Sequence, residues 1–392
     1  MPSALPTTEP TEQPVSTTRR DRVLPLDGLR TVAIALVVLY HLHVPGFGSG
    51  FVGVNVFFVL SGYLITTLLL REHASTGRIR LGRFWVRRLL RLYPTLLAVV
   101  VVGVAVWWLI GDYQGSTLGP VGAALIALTY TGNLARAFFD TSQGVFAPMW
   151  SLSMEEQFYL VWPPVLVLLL AVAARRKALV AGLSAVIVAS AVATWFLYDR
   201  PSGGATPDIY FSPVLNVAPL LMGCVLAVVL RSERVRSALA GRWGALATWL
   251  GVAGVAGSLV LIGSGWQQSV LTFAVALPAV GLASMLLIGG LVTAPSPVAW
   301  VLSLAPVAWF GRAISYPLYL WHVVFIALVT PVVDGTLGIV LVLAAAIGTS
   351  VLSHHFVEKP ALKLKGRFEP REPRRASSTS PSSDREPELT NA

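Results

Sequence analysis

The chain alternates long apolar stretches with short polar ones. The apolar stretches fall at 26–44, 51–70, 92–110, 157–174, 178–197, 211–230, 244–262, 269–292, 313–330 and 336–356. Each comes near the ~20 residues a helix needs to cross the hydrocarbon core of a bilayer. The pattern therefore predicts an all-α integral membrane protein of about ten transmembrane helices. Two further apolar stretches are ambiguous. Val121 to Asn133 is too short to span, and a span there would invert every later helix. It reads as a re-entrant or interfacial segment lying against protein, because bare loop backbone does not survive in lipid. Pro297 to Phe310 reads similarly, with Trp300 and Trp309 suited to a headgroup boundary. A hairpin of two true spans is the alternative in either place. No internal or inverted repeat is visible.

The two ends differ from the middle. Residues 1–22 and 366–392 are rich in Pro, Ser, Thr, Glu and Arg, and read as disordered tails around a transmembrane domain at 23–365. Composition agrees with a membrane protein. Of 392 residues, 55% are hydrophobic and 12% charged, about half the usual ~25% charged share. Such a chain cannot clothe a soluble surface, so soluble enzymes, disordered regulators and coiled coils are excluded. The net charge of +10 reports topology rather than a nucleic-acid partner. Arg19, Arg20 and Arg22, the arginines from Arg71 to Arg91, Arg175 to Lys177, Arg231 to Arg242, and Lys363 to Arg367 all fall on one side of the predicted spans. By the positive-inside rule that side is the cytoplasm, and both termini lie there. The expected location is the bacterial cytoplasmic membrane. The single cysteine, Cys224, excludes an intrachain disulfide.

Polar groups inside apolar spans are costly, so each is a candidate site. Arg30 and His41 are eleven residues apart on the first helix, about 20° from eclipsed and ~16 Å apart in rise. Together they suggest a polar path through the bundle. Taken singly, Arg30 could be a snorkelling anchor and His41 a satisfied core histidine. His43 reads as interfacial. In Trp150 to Tyr159, Ser153 could cap a helix with Glu155 or Glu156 in its first turn. Alternatively, one carboxylate faces the core and orients a histidine or moves a proton. The topology puts His41 and Glu155 at the same outer depth, so they could meet. On a helix, Arg83, Arg87 and Arg91 align at i, i+4, i+8 and need an anionic partner. That partner is either a lipid headgroup or a phosphorylated ligand. His322 falls mid-helix and reads as a core histidine. His354 and His355 sit at a helix end that favours basic groups. No metal site is expected, since no two histidines share the i, i+4 spacing.

Six segments occur in one order: Leu26-Asp27-Gly28-Leu29-Arg30 with His41; Gly50 to Ile65; Phe84 with Arg87, Arg88, Arg91 and Pro94; Glu155 to Tyr159; Ser315 to His322; and Val357-Glu358-Lys359-Pro360. Together they resemble the acyltransferase 3 family of bacterial integral-membrane O-acyltransferases. The resemblance covers about residues 24–360. It implies an acyl-CoA donor, usually acetyl-CoA, no permanently bound cofactor, and an acceptor hydroxyl on a saccharide, a glycoside or a macrolide. It implies that Arg30 and His41 are required, that Glu155 joins them, and that Arg88 and Arg91 handle the donor. Asn55 departs from the family, which often has Asp there. The expected mechanism puts the nucleotide of acyl-CoA on Arg83, Arg87, Arg88 and Arg91, with the pantetheine arm passing Arg30. His41 then acts as general base or takes the acyl group itself, with Glu155 orienting it. Some relatives carry an extracytoplasmic transferase domain, whereas 32 residues follow Pro360 here. The membrane domain would do the whole reaction or pass its acyl group to a separate extracytoplasmic transferase. A transporter or flippase for a lipid-linked or acylated substrate is the competing class, disfavoured by the missing inverted repeat.

Overall fold

The computed structural model describes residues 23–111, 116–172, 176–199, 208–262 and 269–365. The tails expected at 1–22 and 366–392 lie outside the described residues, as do Asp112, Arg175 and Arg200. The helices are α1 (Leu24–His41), α2 (Gly53–Thr76), α3 (Leu81–Ile110), α4 (Pro120–Leu128), α5 (Gly132–Phe139), α6 (Trp150–Val172), α7 (Arg176–Leu197) and α8 (Pro213–Val229), followed by α9 (Glu233–Leu239), α10 (Arg242–Leu261), α11 (Leu277–Thr293), α12 (Pro297–Leu302), α13 (Ala305–Ala313), α14 (Ser315–Val329), α15 (Gly335–Ser353) and α16 (Lys359–Lys365). No strand occurs among the described residues. Nine helical stretches among them are long and apolar enough to cross a membrane, and the pair α13 and α14, bent by 66° at Ile314, makes a tenth. The chain is a multi-pass membrane protein.

The two ambiguous stretches resolve into short helices. α4 and α5, of nine and eight residues, are each too short to cross. The break between them passes through Tyr130, whose φ is 54°. Its backbone groups are satisfied by side chains, as lipid-embedded irregular backbone requires. Gln157 Nε2 donates to the Tyr130 carbonyl at 2.7 Å and to Asn133 Oδ1 at 2.8 Å. Gln143 Nε2 donates to the Gly132 carbonyl at 2.9 Å, and Ser153 Oγ accepts from the Gly132 amide at 3.2 Å. α12 and α13 pack against the first turns of α1, where Thr31 donates to the Val307 carbonyl at 2.7 Å.

The most enclosed spans are α2 and the stretch ending in α8. They approach through small residues, the usual device where lipid offers no hydrophobic drive between helices. A Cβ on Gly62 would sit 1.9 Å from the Leu220 carbonyl oxygen, and one on Gly223 would sit 2.1 Å from that of Val59. Gly62→Leu and Gly223→Leu should therefore each cost more than the ~1–3 kcal/mol typical of overpacking. Thermal unfolding in detergent measures this, with Gly257→Leu, which meets nothing within 4 Å, as the control that keeps wild-type stability.

Two expectations about helix starts are corrected. α3 begins at Leu81, so the arginine-rich stretch is its first three turns rather than a separate loop. α6 begins at Trp150, after a 3-10 turn at Gly144–Met149. Ser153 is therefore not an N-cap: it lies inside α6, and its hydroxyl donates to the Met149 carbonyl at 3.1 Å. Glu155 lies ~7.5 Å along the helix from its first residue, not at its opening. A hydropathy reading starts the span late because it counts each carboxylate as a cost and cannot see its partner.

Candidate active site

Five helices enclose a narrow cavity of about 110 Å³. α1 contributes Arg30; α2, Val54, Phe58 and Ser61; α3, Arg88 and Arg91; α6, Ser151, Glu155 and Tyr159; α14, Tyr316 and Tyr319. The charges are ordered by α3 and α6. Arg88 Nε donates to both Glu156 oxygens at 2.9 Å, and its Nη2 donates to Oε1 at 2.6 Å. The same guanidinium lies over the Tyr159 ring, 3.2 Å from its centroid, and 3.8 Å from Glu155. Glu155 Oε1 accepts hydrogen bonds from the Ser61 and Tyr159 hydroxyls. Glu155, Glu156 and Tyr159 thus form one polar row of α6 that receives Arg88. Each charge is met by a partner, as a buried ion demands.

With Arg88 held by Glu156, the guanidinium groups left to meet a ligand are Arg30 and Arg91. Among the described residues, the only carboxylate within ion-pair distance of Arg30 is Asp27, at 3.8 Å. Arg91 has no carboxylate within ion-pair distance among the described residues. Arg83 and Arg87 do not line the cavity. Phe84, Arg88, Arg91 and Thr95 share a face of α3, with Phe84 and Thr95 buried and Arg91 exposed where it lines the cavity, next to the i, i+4, i+8 row read from the sequence. The partners on α6 choose between the two rows. Thr95 continues this face to the end of the chain's last span. Its hydroxyl donates to Glu358 Oε1 at 3.3 Å, and His354 Nδ1 donates to Oε2 at 2.9 Å.

A second, larger cavity of about 500 Å³ contains His41. Aromatic side chains Tyr40, Phe51, Trp150, Tyr210 and Phe211 line it, together with His43 and Arg136. The Arg136 guanidinium stacks 4.1 Å over the Phe211 ring. His41 Nδ1 donates to the Val37 carbonyl at 2.8 Å. A carbonyl only accepts, so Nδ1 carries a proton, and in the neutral ring Nε2 keeps its lone pair. The His322 ring lies behind, centroid to centroid 5.1 Å from that of His41. His322 is fully buried, its Nδ1 donates to the Leu318 carbonyl at 3.1 Å, and its Nε2 has no hydrogen-bond partner. A buried unsatisfied nitrogen is unusual among native side chains and calls for an explanation.

The arrangement keeps one sequence expectation and corrects another. Arg30 and His41 do share a face of α1, one at each cavity. Glu155 does not meet His41: it lines the arginine cavity, and the partner of His41 is His322. Both carboxylates face inward, Glu155 to Ser61 and Tyr159, Glu156 to Arg88. The reading of the sequence left His322 as a core residue and passed over Tyr159 and Tyr319. The signal was present in the i, i+4 pair Glu155–Tyr159 and the i, i+3 pair Tyr319–His322. Asn55 Nδ2 donates to the Leu277 carbonyl at 3.3 Å, so its role here is a hydrogen bond between α2 and α11, which an uncharged amide fills.

A family profile described as an acyltransferase domain matches residues 24–355. The chain belongs to this acyltransferase 3 family. Among its relatives, "Putative peptidoglycan O-acetyltransferase YrhL" of Bacillus subtilis (strain 168) is 33% identical over 365 residues, covering 88% of this chain and 55% of the relative. "Peptidoglycan O-acetyltransferase OatA" of Listeria monocytogenes is 31% identical over 361 residues, covering 88% and 57%. The chain therefore spans a little over half the length of these acyltransferase 3 relatives. No solved structure matches it.

Proposed function

We propose that this chain is an O-acyltransferase that moves a short acyl group from acyl-CoA to a hydroxyl of a cell-envelope saccharide. The observation that carries the reading is the pair of cavities: one holds guanidinium groups, the other a histidine with a free Nε2 among aromatic rings, and one helix, α1, supplies a residue to each. Arg91 and Arg30 bind the phosphates of the donor, since guanidinium matches phosphate oxygens bidentately. Arg83 and Arg87, on the first turns of α3, stand at the approach to that site. The narrow cavity takes the thioester end of the donor. The aromatic cavity lies in the size range of small-molecule sites, ~300–1,000 Å³, and takes the acceptor sugar on its ring faces. The named acceptor of the Listeria relative, peptidoglycan, is of that class.

His41 Nε2 takes the proton of the acceptor hydroxyl, and the oxygen attacks the thioester carbonyl carbon. The C–S bond breaks, and the proton passes to the CoA thiolate. His322 shares the charge His41 acquires. Purified protein in detergent, given radiolabelled acetyl-CoA and muropeptides, should release CoA and label the glycan. An intact thioester with folded protein would refute the reading in favour of transport. Arg91→Gln should raise KM for acetyl-CoA by about 10- to 100-fold with little change in kcat, the loss expected of one charge-assisted hydrogen bond worth ~1.5–3 kcal/mol. A KM equal to wild type removes Arg91 from the donor site.

A further inference from the structure

We propose that Tyr319, Ser151 and Val54 form the partition between the donor and acceptor cavities and set the length of acyl chain that crosses. The inference rests on the acyltransferase reading. These three side chains line both cavities, so the two spaces meet at them. They come from three helices: α14, α6 and α2. Tyr319 is held in place across the junction. Its hydroxyl donates to the Pro148 carbonyl in the 3-10 turn before α6. That uses its one proton, so the Ser151 hydroxyl, 2.8 Å away, donates to Tyr319. The phenol is thereby tied to both ends of the turn into α6, and its ring lies 5.9 Å from that of His322. Val54, itself buried, is the third side chain that the two cavities share.

A thioester that enters past Arg91 meets this partition before it reaches His41. The donor cavity, at about 110 Å³, is about a fifth the size of the acceptor cavity, at about 500 Å³. Its far wall is a phenol that moves only by breaking two hydrogen bonds. An acetyl group is a flat two-carbon unit that can present its carbonyl at the gap between Val54 and Ser151. Each further methylene must displace one of the three side chains. A pocket wall that rejects one methylene discriminates by about 10- to 200-fold. The partition serves chemistry as well as selection, because a closed phenol keeps water in the acceptor cavity from the thioester until a sugar displaces it.

The test compares acetyl-CoA with butyryl-CoA in wild type, Val54→Ala, Ser151→Gly and Tyr319→Phe, scoring CoA release with and without muropeptide acceptor. Val54→Ala and Ser151→Gly should raise the butyryl-to-acetyl ratio of kcat/KM at least 10-fold. Tyr319→Phe keeps the ring but loses both hydrogen bonds, and should raise acceptor-independent CoA release relative to transfer several-fold. Size-exclusion elution confirms that each variant is folded, and the conservative Tyr319→Phe change guards against loss of packing. Acetyl transfer with an unchanged chain-length ratio and unchanged coupling overturns the partition and leaves the acyltransferase reading standing. No CoA release by folded wild-type protein overturns both.

Discussion

His41→Ala should lower acyl transfer by about 10²–10⁴-fold, the usual worth of a positioned general base, with the protein still folded. The fold should survive because His41 is the last residue of α1 and the hydrogen bond its ring makes is local, to Val37 in the preceding turn. The chemistry should not, because that bond holds the proton on Nδ1 and leaves Nε2 as the base facing the acceptor cavity. KM for acetyl-CoA should stay near wild type, since the donor arginines lie in the other cavity. His322→Gln should lower kcat by less, because His322 does not line the cavity and acts through His41. Initial rates of CoA release and labelled glycan, with melting temperature as the folding control, decide the matter. Transfer by His41→Ala within a few-fold of wild type would remove His41 from the mechanism.

Arg88→Ala should destabilise the protein by about 3–5 kcal/mol, the penalty for stranding a buried charge. Removing this guanidinium leaves Glu156 without its bidentate partner and Glu155 without its nearest cation. The double variant Arg88→Met with Glu156→Gln should recover much of that loss, because removing both members of a buried pair is far cheaper than removing one. The pair also aligns α3 on α6 and so turns Arg91 into the donor cavity. The double variant should therefore fold yet bind acetyl-CoA more weakly. Thermal unfolding in detergent separates the two: an Arg88→Ala melting temperature equal to wild type would show that the ion pair contributes nothing to the bundle.

Much of the architecture was legible along the chain, for a physical reason. The cost of exposing backbone to lipid makes any ~20-residue apolar run a helix, so span number and approximate bounds are written locally. The short stretch Val121 to Asn133 was also legible as non-spanning, because length alone forbids it. What misled was charge. The span expected at 157–174 leaves out Glu155 and Glu156, yet its helix starts at Trp150, since Arg88 and two hydroxyls cancel what a hydropathy sum counts against the carboxylates. Of the four arginines read from the sequence on α3, only Arg88 and Arg91 line the narrow cavity. Arg83, Arg87 and Arg91 repeat every four residues, but a repeat reports only which side chains share a face, not which face turns inward.

By itself the sequence determined the membrane environment, about ten crossings, the shared face of Arg30 and His41, and the six ordered motifs of the acyltransferase 3 family. Each depends on spacing within one helix or on composition, which the chain carries without reference to its fold. Tertiary structure alone decided that Glu155 answers Arg88 and Ser61 rather than His41, that His322 stands behind His41, and that Tyr319 and Ser151 close the boundary between two cavities. These depend on the depth and rotation of one helix against another. Ion pairs, ring contacts and hydrogen bonds between residues 68 to 281 positions apart set them, at a range where no local pattern carries information.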